Sequence, residues 1–131
     1  MIYGIGTDII HIPRIEKLIN NYSIKFINRI LGKNEITIYQ NLTSIKQQAN
    51  FIAKRFAGKE SIAKAIGIGI APPLSLHNIE ILNNKLGKPI VHIHNADKIL
   101  LNHLRLIEYK IDISLSDDYP LATAFTIISR H

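Results

Sequence analysis

Apolar residues alternate with small or polar ones from the start of the chain. Tyr3, Ile5, Thr7 and Ile9 fall on one side of a two-residue period and Gly4, Gly6 and Asp8 on the other, predicting a strand over 2–10. The period then lengthens. Ile12, Ile15 and Ile19 recur at helical spacing around Pro13, a residue suited to the first turn of a helix. Asn20-Asn21 interrupts that stripe, so a second helix is expected over 23–31, ending at Gly32, with a shorter helical piece over 34–41. The longest helical segment covers 45–66 and stops at Gly67-Ile68-Gly69, ahead of Pro72-Pro73. Residues 78–82 and 89–94 read as two strands joined by a turn-rich segment, and 95–106 as a helix capped by Asn95. Tyr109, Ile111, Ile113 and Leu115 then alternate with Lys110, Asp112, Ser114 and Ser116. Asp117-Asp118-Tyr119-Pro120 turns the chain into a final strand over 121–129. Helices gather early and paired strands late, which predicts an α+β fold with helices packed on a mostly antiparallel sheet. No repeat or linker divides residues 1–131, so one domain is expected.

Composition narrows the class. A chain of 131 residues, 47% of them hydrophobic, can build a core without covalent staples. The absence of cysteine excludes disulfides, thiolate zinc sites and cysteine nucleophiles, and fits a reducing cytoplasm. The N-terminus has neither a basic leader region nor a small-residue cleavage site, and no apolar run approaches the ~20 residues that span a bilayer. A cytoplasmic protein with no membrane segment is expected. The net charge of +6 favours a polyanionic partner. Its Lys and Arg are scattered and do not alternate with aromatic residues, so nucleic acid is not the expected partner.

The long helix carries the first sign of chemistry. Ala49, Ala53, Phe56, Ala63 and Gly67 form a core-facing stripe, and Glu60 sits within it. A carboxylate on a buried face needs a partner or a metal. Lys64, one turn on, offers an ordinary ion pair, and that plain alternative stands beside the metal reading. Asp8 ends the glycine-bearing face of the first strand, where a helix backbone can approach closely, with Ala53 and Ala57 suited to face it. If the long helix packs there, Asp8 and Glu60 converge and need a cation between them. The alternative for Asp8 is a cap on the Pro13 helix. Few oxygen ligands suit magnesium, which keeps waters and binds substrate phosphates. Arg55, Lys59, Lys64 and Lys88 would supply positive charge around such a substrate, or merely a solvated basic face.

GIGTDIIHIPRIEKL at the N-terminus and KRFAGKESIAKAIGIGI in the long helix closely resemble the short class of 4'-phosphopantetheinyl transferases, the holo-[acyl-carrier-protein] synthases. The hallmark is a G-x-D followed, some fifty residues on, by F-x-x-K-E-[AS]-x-x-K-A. Gly6 and Asp8, then Phe56, Lys59, Glu60, Ser61, Lys64 and Ala65, match it. The likeness extends through LGKP to the closing strands and covers nearly the whole chain.

This resemblance implies transfer of 4'-phosphopantetheine from coenzyme A to a serine of apo-acyl carrier protein, in the service of fatty acid biosynthesis. It implies that Asp8 and Glu60 bind Mg2+ with the coenzyme A pyrophosphate. It makes Glu60 and Lys64 the catalytic pair, Glu60 as proton acceptor and Lys64 as phosphate holder. Lys59, Lys64, Gly67 and Lys88 become the expected coenzyme A contacts. A homotrimer with sites between subunits is implied as well. Many relatives carry His where this chain has Asp117, which either starts the turn or orients a water or a basic residue. The carrier is acidic, and if the early helical region continues without a sharp break, Arg14, Lys25 and Arg29, in line with Leu18 and Tyr22, are the expected carrier-binding face. His92 and His94 read as an exposed strand face with no third ligand. The rival class is a non-catalytic basic module for RNA or anionic lipid.

Overall fold

A computed structural model describes residues 1–72, 74–96, 100, 105 and 108–130. The order is β1 (Ile2–His11), α1 (Ile12–Ile30), α2 (Lys33–Gln40), α3 (Ile45–Ile66), a 3-10 turn (Leu76–Asn78), β2 (Ile79–Asn83), β3 (Pro89–Ile93), β4 (Tyr109–Asp118) and β5 (Leu121–Arg130). β1, β5 and β4 form one antiparallel sheet in that order, and β2 and β3 a second antiparallel pair. The expected helix over 95–106 lies largely outside the described residues. Asn95 itself has φ 62°, a left-handed turn rather than the extended backbone of a helix cap.

α3 is the centre of the molecule. One end packs with α1, where Ile12, Ile15, Ile19 and Ile52 are buried together. The other end joins Ile62 and Ile66 to Ile79, Ile81 and Ile128. Ser44 caps its start by accepting from the Gln47 amide at 3.1 Å. Gly67 closes it at φ 92°, a conformation glycine adopts without strain.

The alternation of β1 does what its sequence predicts. Gly4 and Gly6 face α3, and Ile5 and Ile9 are exposed on the other side of the sheet. A Cβ on Gly4 would fall 1.9 Å from the Ala65 carbonyl oxygen, and one on Gly6 would fall 1.9 Å from that of Ser61. Backbone therefore packs on backbone. The facing residues are Ser61 and Ala65, not the Ala53 and Ala57 that the sequence suggested.

Three boundaries move. α1 runs on past Asn20-Asn21 and kinks at Ser23, whose φ is 39° and ψ −114°. It ends at Ile30 on an extended Leu31, and Gly32 belongs to α2 as its cap. Glycine is required there because a Cβ would meet the Glu80 Cγ at 2.5 Å. Asp117 and Asp118 stay in β4, leaving Tyr119-Pro120 alone to make the turn.

Candidate active site

Close packing of α3 on the glycine face sets Glu60 beside Asp8. The Glu60 carboxyl is pushed above its ordinary value, first by burial and then by the negative charge of Asp8, with Lys64 opposing. Among the described residues Glu60 has no hydrogen-bond or ion-pair partner. The plain ion pair from Lys64 to Glu60 is not formed. Lys64 instead reaches over the edge of β1, donating to the Thr7 carbonyl at 2.9 Å and to Asp8 Oδ1 at 3.2 Å. Nor is Asp8 a helix cap, for His11 holds that position without a side-chain bond. Asp8, Thr7 and Lys64 line an open cavity of about 410 Å³, together with Ser114, Ser116 and Phe125.

Among the described residues no three His, Cys, Asp or Glu side chains gather as a metal cage. Two carboxylates, one of them unpartnered and half-buried, form a donor set that suits magnesium, which takes its remaining ligands from water and phosphate. The residues present fit such an ion.

Lys59 is a correction. It was expected to meet the coenzyme, yet it has no exposed surface. Its ammonium donates to Glu35 Oε1 at 2.5 Å and to the Ile30 carbonyl at 2.6 Å. Gly67 sits just past Lys64 at the end of α3. Lys88 lines a separate cavity of about 250 Å³ with Tyr109, Lys110 and Asp112, so a single chain does not bring it to Asp8. Arg14, Lys25 and Arg29 are exposed on α1. Lys25 and Arg29 border a groove with Leu18, Tyr22 and Phe26, and Arg14 lies outside it. Asp117 holds Lys54 at 3.1 Å and Asn50 at 3.2 Å, tying β4 to α3.

Several buried groups escaped the sequence reading. Glu80 accepts from the Asn34 amide at 2.8 Å, the Glu35 amide at 3.2 Å and His94 Nε2 at 2.7 Å. His94 is exposed, as expected, but is paired with a buried acid. Glu35 returns to the Gly32 amide at 2.9 Å, and its place three residues after Gly32 was the available signal for a capping glutamate.

A family model described as the 4'-phosphopantetheinyl transferase superfamily matches residues 4–124. The chain belongs to that superfamily. Among its members, holo-[acyl-carrier-protein] synthase of Orientia tsutsugamushi (strain Ikeda) is 81% identical over 129 residues, 98% of each chain. The crystal structure of the Neisseria meningitidis holo-[acyl-carrier-protein] synthase superposes with a TM-score of 0.87 at 35% identity, covering 99% of this chain and 100% of that one. The Bacillus anthracis synthase, solved in complex with CoA (3',5'-ADP), gives a TM-score of 0.83 at 34% identity, covering 100% and 99%. This transferase superfamily thus supplies the α+β fold seen here, with helices on antiparallel sheets.

Proposed function

We propose that this chain is a holo-[acyl-carrier-protein] synthase. It transfers 4'-phosphopantetheine from coenzyme A to a serine of apo-acyl carrier protein, releasing adenosine 3',5'-bisphosphate and supplying holo-carrier for fatty acid biosynthesis. The observation that carries this reading is the pairing of Asp8 with a half-buried Glu60 that has no side-chain partner among the described residues and whose proton affinity is raised. A resting carboxylate with that affinity suits a group that must hold a cation and accept a proton.

Asp8 and Glu60 would hold Mg2+, which when bound supplies charge neutralisation at the pyrophosphate. Glu60 takes the proton of the carrier serine as its oxygen attacks phosphorus. The phosphorus–oxygen bond to the adenosine bisphosphate breaks, and Lys64 balances the charge left on that phosphate. Gly67 lies on the same side as a contact for coenzyme A. Lys88 reaches a coenzyme only if subunits assemble around the site. That fits a homotrimer, and the exposed Ile5, Ile9 and Phe125 on the outer sheet face support such an assembly. Arg14, Lys25 and Arg29 on α1 receive the acidic carrier.

Incubating the protein with coenzyme A, apo-acyl carrier protein and Mg2+ should add the mass of phosphopantetheine to the carrier. Well-folded protein that leaves the carrier unmodified refutes the proposal. The net charge of +6, which the RNA or lipid module would explain, suits an acidic carrier equally well.

A further inference from the structure

Lys59, Glu60 and Ser61 follow one another on α3, about 100° apart around the helix axis. Lys59 and Ser61 therefore point to nearly opposite sides, with Glu60 between them. On the sheet side, Ser61 Oγ donates to the Gly58 carbonyl at 2.7 Å and shares a 2.6 Å hydrogen bond with Thr126 Oγ1 of β5. The glycine face beneath sets how close the helix comes, but it offers no side chain to set how the helix is rolled. Around Glu60 the helix carries mostly small residues, Ala57, Gly58, Ser61 and Ala63, with Ile62 the one large apolar side chain between them.

On the far side stands the largest fully buried side chain among the described residues, Lys59. Its ammonium is fixed by the last carbonyl of α1, at Ile30, and by Glu35 near the start of α2. Glu35 is itself held by the Gly32 and Ile81 amides, both at 2.9 Å. Arg55, one turn earlier on α3, donates to the Ile81 carbonyl at 3.3 Å. α1 and α2 thus grip the helix at the residue before Glu60, and β2 grips it one turn earlier at Arg55.

We infer that Lys59 is a positioning residue: its anchor on Glu35 and the Ile30 carbonyl fixes the roll of α3 that aims Glu60 at Asp8. The inference rests on the proposed cation site, and it gives the lysine of the K-E pair a role distinct from touching coenzyme A. Without the anchor the helix still lies on the glycines, but it rolls about the Ser61–Thr126 contact and the two carboxylates lose their shared aim.

Removing Lys59 alone would leave Glu35 charged and unpaired in the core, so the test variant is Lys59→Met combined with Glu35→Gln, which removes both charges at similar volume. Binding of Mn2+ to the coenzyme A complex is followed by the loss of its free electron-paramagnetic signal, and steady-state kinetics are run alongside. Leu74→Ala, a fully buried position that makes none of the anchor's hydrogen bonds, serves as a control for destabilisation without loss of roll. The double variant should bind Mn2+ at least about tenfold more weakly, the scale seen when a ligand loses its supporting partner. Its kcat should fall while the KM for coenzyme A at saturating metal stays within twofold of the parent, by about the scatter such constants carry. Leu74→Ala should lower Tm without moving the metal midpoint. An unchanged metal midpoint in the folded double variant overturns the inference. So does a raised KM for coenzyme A at saturating metal, or an equal metal shift in Leu74→Ala. If the parent protein neither binds Mn2+ with coenzyme A nor transfers, the proposed function fails before this one is reached.

Discussion

Two carboxyl groups facing each other at a half-buried site cannot both ionise freely, and Glu60 bears the cost. Its folded value lies above the ordinary 4.5, through burial first and the Asp8 charge second. Between 4.5 and that raised value the folded chain keeps a proton that the unfolded chain has released, so stability falls as pH rises through the window. Asp8→Asn removes the neighbouring charge and should flatten part of that fall. Melting temperatures taken from pH 4 to 8 in metal-free buffer test this, and a slope unchanged from the parent refutes it. Glu60→Gln should cost at least about 100-fold in kcat, the scale of a lost general base, while the protein stays folded. Transfer and metal binding both surviving would overturn the site assignment. Asp8 and Glu60 were legible because a charged residue stood in each of two otherwise apolar or glycine patterns. Lys59 was not: sequence cannot tell a buried lysine from a solvated one when its partner, Glu35, stands 24 residues away.

At the scale of elements, helix periods and strand alternation located every described strand and α-helix, although α1 was divided in two and the 3-10 turn was missed. What they mislaid were the joints. Ser23, not the asparagine pair, breaks α1, since its backbone lies in a left-handed region that a side chain occupies only under strain. Ser23→Gly should relieve that strain and raise stability by about 1 kcal/mol, read from the denaturant midpoint. No change or a loss would mean the kink is held without cost. Gly6→Ala acts on the opposite kind of joint. A methyl 1.9 Å from the Ser61 oxygen must push α3 away, costing about 1–3 kcal/mol and weakening metal binding with it. Calorimetry on the variant checks both. On α1, reversing Lys25 or Arg29 to Glu should raise the KM for the carrier several-fold, more at low salt, with the KM for coenzyme A unmoved. Carrier kinetics that ignore the reversal would remove α1 from the docking face.

Over the whole molecule, the exposed hydrophobic side chains are not scattered evenly. Ile5, Ile9, Leu121 and Phe125 stand on the outer face of the three-stranded sheet, opposite α3. Alternation along β1 separated Ile5 and Ile9 from the glycines, but only the register, with Thr7 opposite Phe125, joined them to β5 in one patch. Phe125→Lys should dissolve the proposed trimer, which sedimentation would read as a drop to monomer mass with loss of transfer. A trimer that persists would move the interface elsewhere. The acid pair Glu35 and Glu80 was the least legible part of the chain, because its partners come from α2 and its cap, α3, β2 and the residue after β3, brought together only by the finished fold.

Lys64 has a second occupation. β1 is an edge strand among the described residues, and an uncovered edge invites pairing with another chain. By donating to the Thr7 carbonyl, Lys64 puts a positive charge across that edge at the point where a foreign strand would zip on. The lysine proposed to steady a phosphate during turnover would therefore also disfavour self-association at rest. Solubility alone disfavours its replacement, and truncating it at high protein concentration should produce light-scattering aggregates as well as a slow enzyme.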